Sequence, residues 1–143
     1  MKKSLLVRAC LLGVPCRYDG NAKPNPAVLA MEKRYTLVPV CPESLGGLMI
    51  PRPPAELVGE KVINAEGMDV TNAFQKGAEA VLQLALSSGC ETAIFKSKSP
   101  SCGKGQIYDG SFSGKLIPGD GVAAMLLMEH GIRVLTEHEI EGV

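Results

Sequence analysis

The stretch TNAFQKGAEAVLQLALSSGCETAIF, running from Thr71 to Phe95, decides the fold class. Phe74, Ala78, Val81, Leu82 and Ala85 recur at steps of three and four, which marks one face of a helix. That helix is expected over residues 71–88. Gly89 then supplies the residue type that most readily ends one. Thr92–Phe95 follows at once as a short apolar run of strand type. A helix feeding directly into a buried strand is half of a parallel crossover unit.

The flanks extend the same alternation. Residues 5–9 read as a buried strand ending at Cys10. Pro24-Asn25-Pro26 offers a capping Asn with Pro at the first helical position, so a short helix is expected to about Arg34. Tyr35–Val40 is a second apolar run, ending at Cys41. Downstream, Asp120 is placed to cap a helix over 121–130, stopped by Gly131, and residues 132–135 form a fourth strand. A turn-rich segment around 56–70 is expected as a small hairpin or irregular arm. The alternation predicts an α/β fold, with residues 1–143 as one domain. It is a three-layer sandwich around a mostly parallel, roughly four-stranded, Rossmann-like sheet.

Composition narrows the function. The chain has 143 residues, with fifteen Lys plus Arg against fifteen Asp plus Glu. A balanced charge argues against a nucleic-acid backbone as partner. Trp is absent and aromatics are 4%, which argues against a base-stacking platform for single strands. The apolar fraction of 45% is enough for a packed core. No run approaches the ~18 apolar residues of a membrane span. The start, Met1-Lys2-Lys3-Ser4-Leu5-Leu6-Val7, imitates a secretory signal, but Arg8 cuts the apolar stretch well short of the ~7–15 residues required. A cytoplasmic location is therefore expected, and five cysteines there are not a disulfide framework.

The thiols carry the first functional expectation. In open α/β sheets, ligands bind beyond the carboxyl ends of the strands. Cys10, Cys41 and Cys102 each follow one strand, so the topology brings three thiols to one sheet edge. Thiolates are soft ligands that select zinc, copper(I) or iron–sulfur clusters, and three of them leave one position open. Their spacing matches no compact metal motif, and free Cys is commonly just a small buried hydrophobe, so both readings stand on the residues alone. A thiol phosphatase loop fits poorly. It needs Arg where Cys16 stands, Arg17 comes one residue late, and Pro15 removes an N–H from the anion cradle.

Two loops border the expected edge. Lys96-Ser97-Lys98-Ser99-Pro100-Ser101-Cys102-Gly103 surrounds a thiol with hydroxyls and cations, which suits either a binding loop or a solvated polar one. In Cys41-Pro42-Glu43-Ser44-Leu45-Gly46-Gly47-Leu48, Glu43 stands two residues past a thiol, where a half-buried carboxylate can move protons or simply form a loop ion pair with Arg52. His130 and His138 suggest no role, since one suits the end of a helix and the other an acidic tail.

Taken together, Arg8-Ala9-Cys10-Leu11-Leu12-Gly13, Cys16-Arg17-Tyr18-Asp19-Gly20, Pro39-Val40-Cys41-Pro42-Glu43, Gly46-Gly47-Leu48, Pro51-Arg52, the Lys96–Gly103 motif and Gly119-Asp120-Gly121 occur in an order that resembles the domain-of-unknown-function family 523, which includes the thiouracil desulfidases. The resemblance covers nearly the whole chain. It implies a [4Fe-4S] cluster on Cys10, Cys41 and Cys102, with an open iron for the sulfur of a small thiolated substrate. It implies Glu43 and Ser99 as catalytic positions, and Ser97, Lys98, Ser101 and Gly47 as substrate-binding ones. Cys16 and Cys90 keep a structural reading. The implied activity is a redox-neutral, hydrolytic removal of sulfur from a thiouracil-like nucleobase. The alternatives are a sulfur-transfer protein and a non-catalytic iron–sulfur or zinc-binding module.

Overall fold

In a computed structural model, which describes residues 2–143 and leaves Met1 outside, the chain begins with β1 (Lys3–Arg8) and a 3-10 turn over Ala9–Leu12. There follow α1 (Pro26–Leu29), a second 3-10 turn (Ala30–Lys33), β2 (Tyr35–Val40) and α2 (Pro42–Leu45). The hairpin β3 (Ala55–Val58) and β4 (Lys61–Asn64) leads into α3 (Thr71–Ser87) and β5 (Thr92–Phe95). A second hairpin, β6 (Gln106–Tyr108) and β7 (Leu116–Pro118), precedes α4 (Val122–Glu129), β8 (Arg133–Thr136) and a 3-10 turn at Ile140–Gly142.

Four strands form one parallel sheet in the order β2-β1-β5-β8. Burial on both faces explains why β1 and β5 read as continuous apolar runs. Leu6, Ala93, Phe95 and Val134 face α3 and α4, meeting Ala78, Val81, Leu82, Ala85 and Leu127. Leu5, Val7, Ile94 and Leu135 face the other way, onto Leu11 and Val28. Each fully buried Leu, Ile or Phe contributes roughly 1.5–3 kcal/mol, so both layers are needed. The second layer is thin, made of short helical turns. Pro39 is tolerated because β2 is an edge strand.

The α/β architecture and the amphipathic face of α3 follow the sequence expectation. Asn25 also caps α1 as expected, its Oδ1 accepting from the N–H groups of Ala27 at 3.0 Å and Val28 at 3.2 Å. Two details differ. Cys10 lies in the 3-10 turn, two residues past the last residue of β1. Asp120 does not cap α4, because Gly121 holds that position and the Asp120 carboxylate accepts from the Gly105 N–H at 2.8 Å. Of the two forms expected for the turn-rich segment, a small hairpin or an irregular arm, the chain takes the hairpin, with its strands at Ala55–Val58 and Lys61–Asn64.

Candidate active site

The strand order reverses direction between β1 and β5. From β1 the chain goes to β2 on one side, then returns past β1 to β5 on the other. Loops leaving the carboxyl ends of these two strands diverge, which opens a crevice. A cleft of about 630 Å³ lies there, lined by Arg8, Cys10, Glu43 and the loop from Lys96 to Pro100. The register aligns the strand ends, since Arg8 pairs with Val40 and Phe95 with Thr136.

Local packing fixes each group. Helix α2 starts at Pro42 and lies against α3, where Gly77 leaves room for the Pro42 carbonyl; a Cβ there would stand 1.9 Å from its oxygen. This contact sets Cys41 and Glu43. The first N–H groups of α4 hold the loop after β5: Val122 donates to the Pro100 carbonyl at 2.9 Å and Ala123 to the Ser101 carbonyl at 2.8 Å. Helix termini leave such N–H groups unpaired within the helix, so the loop supplies their acceptors. Beyond β8, Glu137 pins the same loop from the other side. It accepts from the Ser97 N–H at 2.8 Å and pairs with the Lys96 ammonium at 2.7 Å.

At the cleft floor lies a buried polar network. The Arg8 guanidinium pairs with Glu43 Oε2 at 3.0 Å, and both side chains are nearly inaccessible, at 5% and 6%. The other terminal nitrogen of Arg8 donates to the Cys102 sulfur at 3.0 Å and to Ser101 Oγ at 3.2 Å. Ser101 Oγ donates to Glu43 Oε1 at 2.5 Å and stands 3.0 Å from Ser99 Oγ. Ser99 Oγ in turn accepts the N–H groups of Ser101 and Cys102, both at 3.2 Å. Burial pushes the Glu43 carboxyl up, but Arg8, the Ser101 hydroxyl and Arg52 more than reverse this and hold it below the usual carboxylate value. Burial likewise opposes the Arg8 charge, yet Glu43 and the surrounding thiols keep it firmly protonated.

The thiols divide by environment. Burial pushes Cys102 up to about 11, against the pull of Arg8. Cys10 is lowered, first by the neighbouring Cys16 thiol, with burial opposing and Arg8 assisting. Cys41 is raised, first by its contact with Cys16 and then by burial. All four thiols are buried.

Of the residues expected from the sequence, Cys10, Glu43, Ser97, Lys98 and Ser99 line the cleft. Ser101, Cys41 and Cys102 connect to it through Glu43 and Arg8. Gly47 is exposed and outside the lining. Sequence reasoning missed the part played by Arg8, although an Arg ending an otherwise apolar strand was a usable signal. A returning loop brings Cys16 beside Cys10, since Lys23 donates to the Cys10 carbonyl and Asn25 to that of Leu11, both at 2.9 Å. His138, read as part of an acidic tail, lines the cleft, as do Tyr18, Tyr108 and Phe112.

The donor set suits an iron–sulfur cluster. Three soft thiols follow three strand ends, with a buried cation to offset thiolate charge. Arg8 Nε is buried with no hydrogen-bond partner, which an acceptor-rich group between the thiols would relieve. Among the described residues, no three His, Cys, Asp or Glu side chains are grouped to hold a single ion. In a cluster each thiolate binds a separate iron, so its ligands need not converge on one point. No described helix is long and apolar enough to cross a membrane.

A family model described as 2-thiouracil desulfurase matches residues 5–139. The uncharacterized protein YbbK of Bacillus subtilis (strain 168) is 40% identical over 149 residues, covering 97% of this chain and 99% of its own. The solved structure of a [4Fe-4S]-dependent thiouracil desulfidase, TudS, superposes with a TM-score of 0.92 at 45% identity, covering 99% of this chain and 95% of that one.

Proposed function

The chain belongs to the 2-thiouracil desulfurase family, and from that premise we propose that it is an iron–sulfur-dependent thiouracil desulfidase. The observation that carries this reading is the match to the [4Fe-4S]-dependent desulfidase over 99% of the chain. Cys10, Cys41 and Cys102 would hold the cluster. When bound, it supplies a Lewis-acidic iron free of protein ligands, to which a thiocarbonyl sulfur can attach.

The protein's own groups supply the rest. A thiocarbonyl carbon is a poor target for neutral water. Glu43, kept ionised by Arg8, is the base that takes a proton from the attacking water and later returns it. Ser99 lines the cleft, and its hydroxyl connects through Ser101 to Glu43, which gives a hydrogen-bonded path for that proton. Ser97 and Lys98 offer donors to polar atoms of the ring. The balance is one thiocarbonyl and one water giving one carbonyl and one hydrogen sulfide, with no net electron transfer.

The test is anaerobic incubation of cluster-loaded protein with 2-thiouracil, following uracil and sulfide together. Equal release of both is expected. Uracil formed over many turnovers without matching free sulfide, or no uracil at all, would overturn the hydrolytic reading. Glu43→Gln should lose a factor of ~10²–10⁴ in turnover while keeping its iron.

A further inference from the structure

The chain has only six aromatic residues, three Tyr and three Phe. Four of them, Tyr18, Phe74, Tyr108 and Phe112, line the cleft. Phe74 is buried and belongs to the packing of α3 against the two hairpins. Tyr18 carries the Arg17 guanidinium over its ring, 5.7 Å from the centroid. Tyr108 and Phe112 both come from the β6–β7 hairpin, and neither has a core to fill. Phe112 remains 41% exposed.

The backbone at Phe112 is unusual. Its φ is +57°, a left-handed conformation costing an ordinary residue roughly 1–2 kcal/mol. Such conformations persist where the surroundings over-determine them, often at ligand clamps. Here the restraint is Glu56 on β3. This buried carboxylate forms no ion pair among the described residues. Its Oε1 accepts from the Gly110 N–H at 3.0 Å and the Phe112 N–H at 3.1 Å. The same turn lies flat on β3, since a Cβ at Gly110 would stand 2.8 Å from the Leu57 carbonyl oxygen. This carboxylate lines the cleft and at the same time fixes the turn that carries Phe112.

We propose that the β6–β7 turn, latched by Glu56, makes Phe112 and Tyr108 a stacking wall that selects flat heteroaromatic rings. This rests on the desulfidase reading and adds its specificity element. Phe112 contacts the ring, whereas Glu56 is a positioning residue acting through Phe112. Neither touches the thiols or Glu43. Both should therefore change ring affinity and leave the chemical step alone.

The test uses cluster-loaded protein, with KM and kcat for 2-thiouracil and the calorimetric Kd of uracil, which has the ring without the sulfur. Phe112→Ala should raise both KM and Kd about tenfold, within the range that a base–aromatic stack supplies, with kcat within about twofold. Glu56→Ala should move both constants in the same direction. Glu56→Gln, whose amide oxygen can still accept both N–H groups, should restore them. An unchanged uracil Kd in Phe112→Ala would overturn the proposal. So would a Glu56→Gln protein as impaired as Glu56→Ala. Iron content per chain shows that each variant is loaded. A wild type that releases no sulfide sinks the desulfidase reading, whereas an active wild type with unchanged variants sinks only the wall.

Discussion

Replacing Arg8 with Met should be the most revealing single change in this protein. Arg8 and Glu43 are oppositely charged, 3.0 Å apart and almost wholly buried. At an effective dielectric near 20, unit charges at that distance attract by roughly 5 kcal/mol. Removing one partner of such a pair costs about 3–5 kcal/mol, because the other is left buried and unpaired. A domain of this size has only about 5–15 kcal/mol in total, so Arg8→Met should be marginal at pH 7. The pH dependence carries the sign. In the native protein Glu43 sits below its unfolded value near ~4.3, so its stabilising contribution is complete above that pH and is lost as pH falls through the folded value. Without Arg8, burial dominates and the folded value rises above the unfolded one. Arg8→Met should therefore gain stability as pH is lowered from 7 towards ~4.5, where the wild type gains none. The assay is urea unfolding of cluster-free protein across that range, with Arg8→Met, Glu43→Met and the double variant. The double variant should recover most of the loss, since an apolar pair leaves no orphan charge. Additive single effects below about 1 kcal/mol, with no reversal in pH slope, would refute the reasoning.

Other outcomes follow from the same geometry. Cys10→Ser, Cys41→Ser and Cys102→Ser should each fail to retain iron and acid-labile sulfide after anaerobic reconstitution. Cys16→Ser and Cys90→Ser should keep both, as metal and sulfide analysis per chain would show. Gly77→Ala should cost about 3 kcal/mol by chemical denaturation and weaken cluster retention, because its methyl meets the Pro42 carbonyl that positions Cys41 and Glu43. Lys98 has φ +67°, so Lys98→Gly should raise stability by roughly 0.5–1 kcal/mol while weakening substrate binding through the lost cation.

The legible parts of the fold were those with long or strongly patterned signals. The 17 residues of α3 carry an amphipathic stripe over several turns, and β1, β2 and β5 are apolar runs bounded by turn residues. The three thiols were placed at one edge because parallel topology alone aligns strand ends. What escaped depends on contacts far apart in sequence. Strands β6 and β7 have three residues each, too few to show alternation, and are defined by pairing with each other and by the Glu56 latch. Cys16 enters the site only because its loop returns to bond the backbone of Cys10 and Leu11. Arg8 and Glu43 meet only once β1 and β2 pair in register.

Arg8 is also where local preference and fold disagree most sharply. A buried parallel strand favours an apolar residue at its end, and Leu5, Leu6 and Val7 comply. The fourth buried position holds a guanidinium whose Nε has no partner. Conflicts of this kind concentrate at functional sites. Here the cation answers three demands at one point. It keeps the buried Glu43 ionised, donates to the Cys102 sulfur, and would offset the negative charge of any buried thiols that served as ligands. An apolar residue would pack better and meet none of them. The stability given up at the end of β1 is thus tied to the chemistry of the cleft, which is why the disruption of Arg8 should be felt in folding and in the site together.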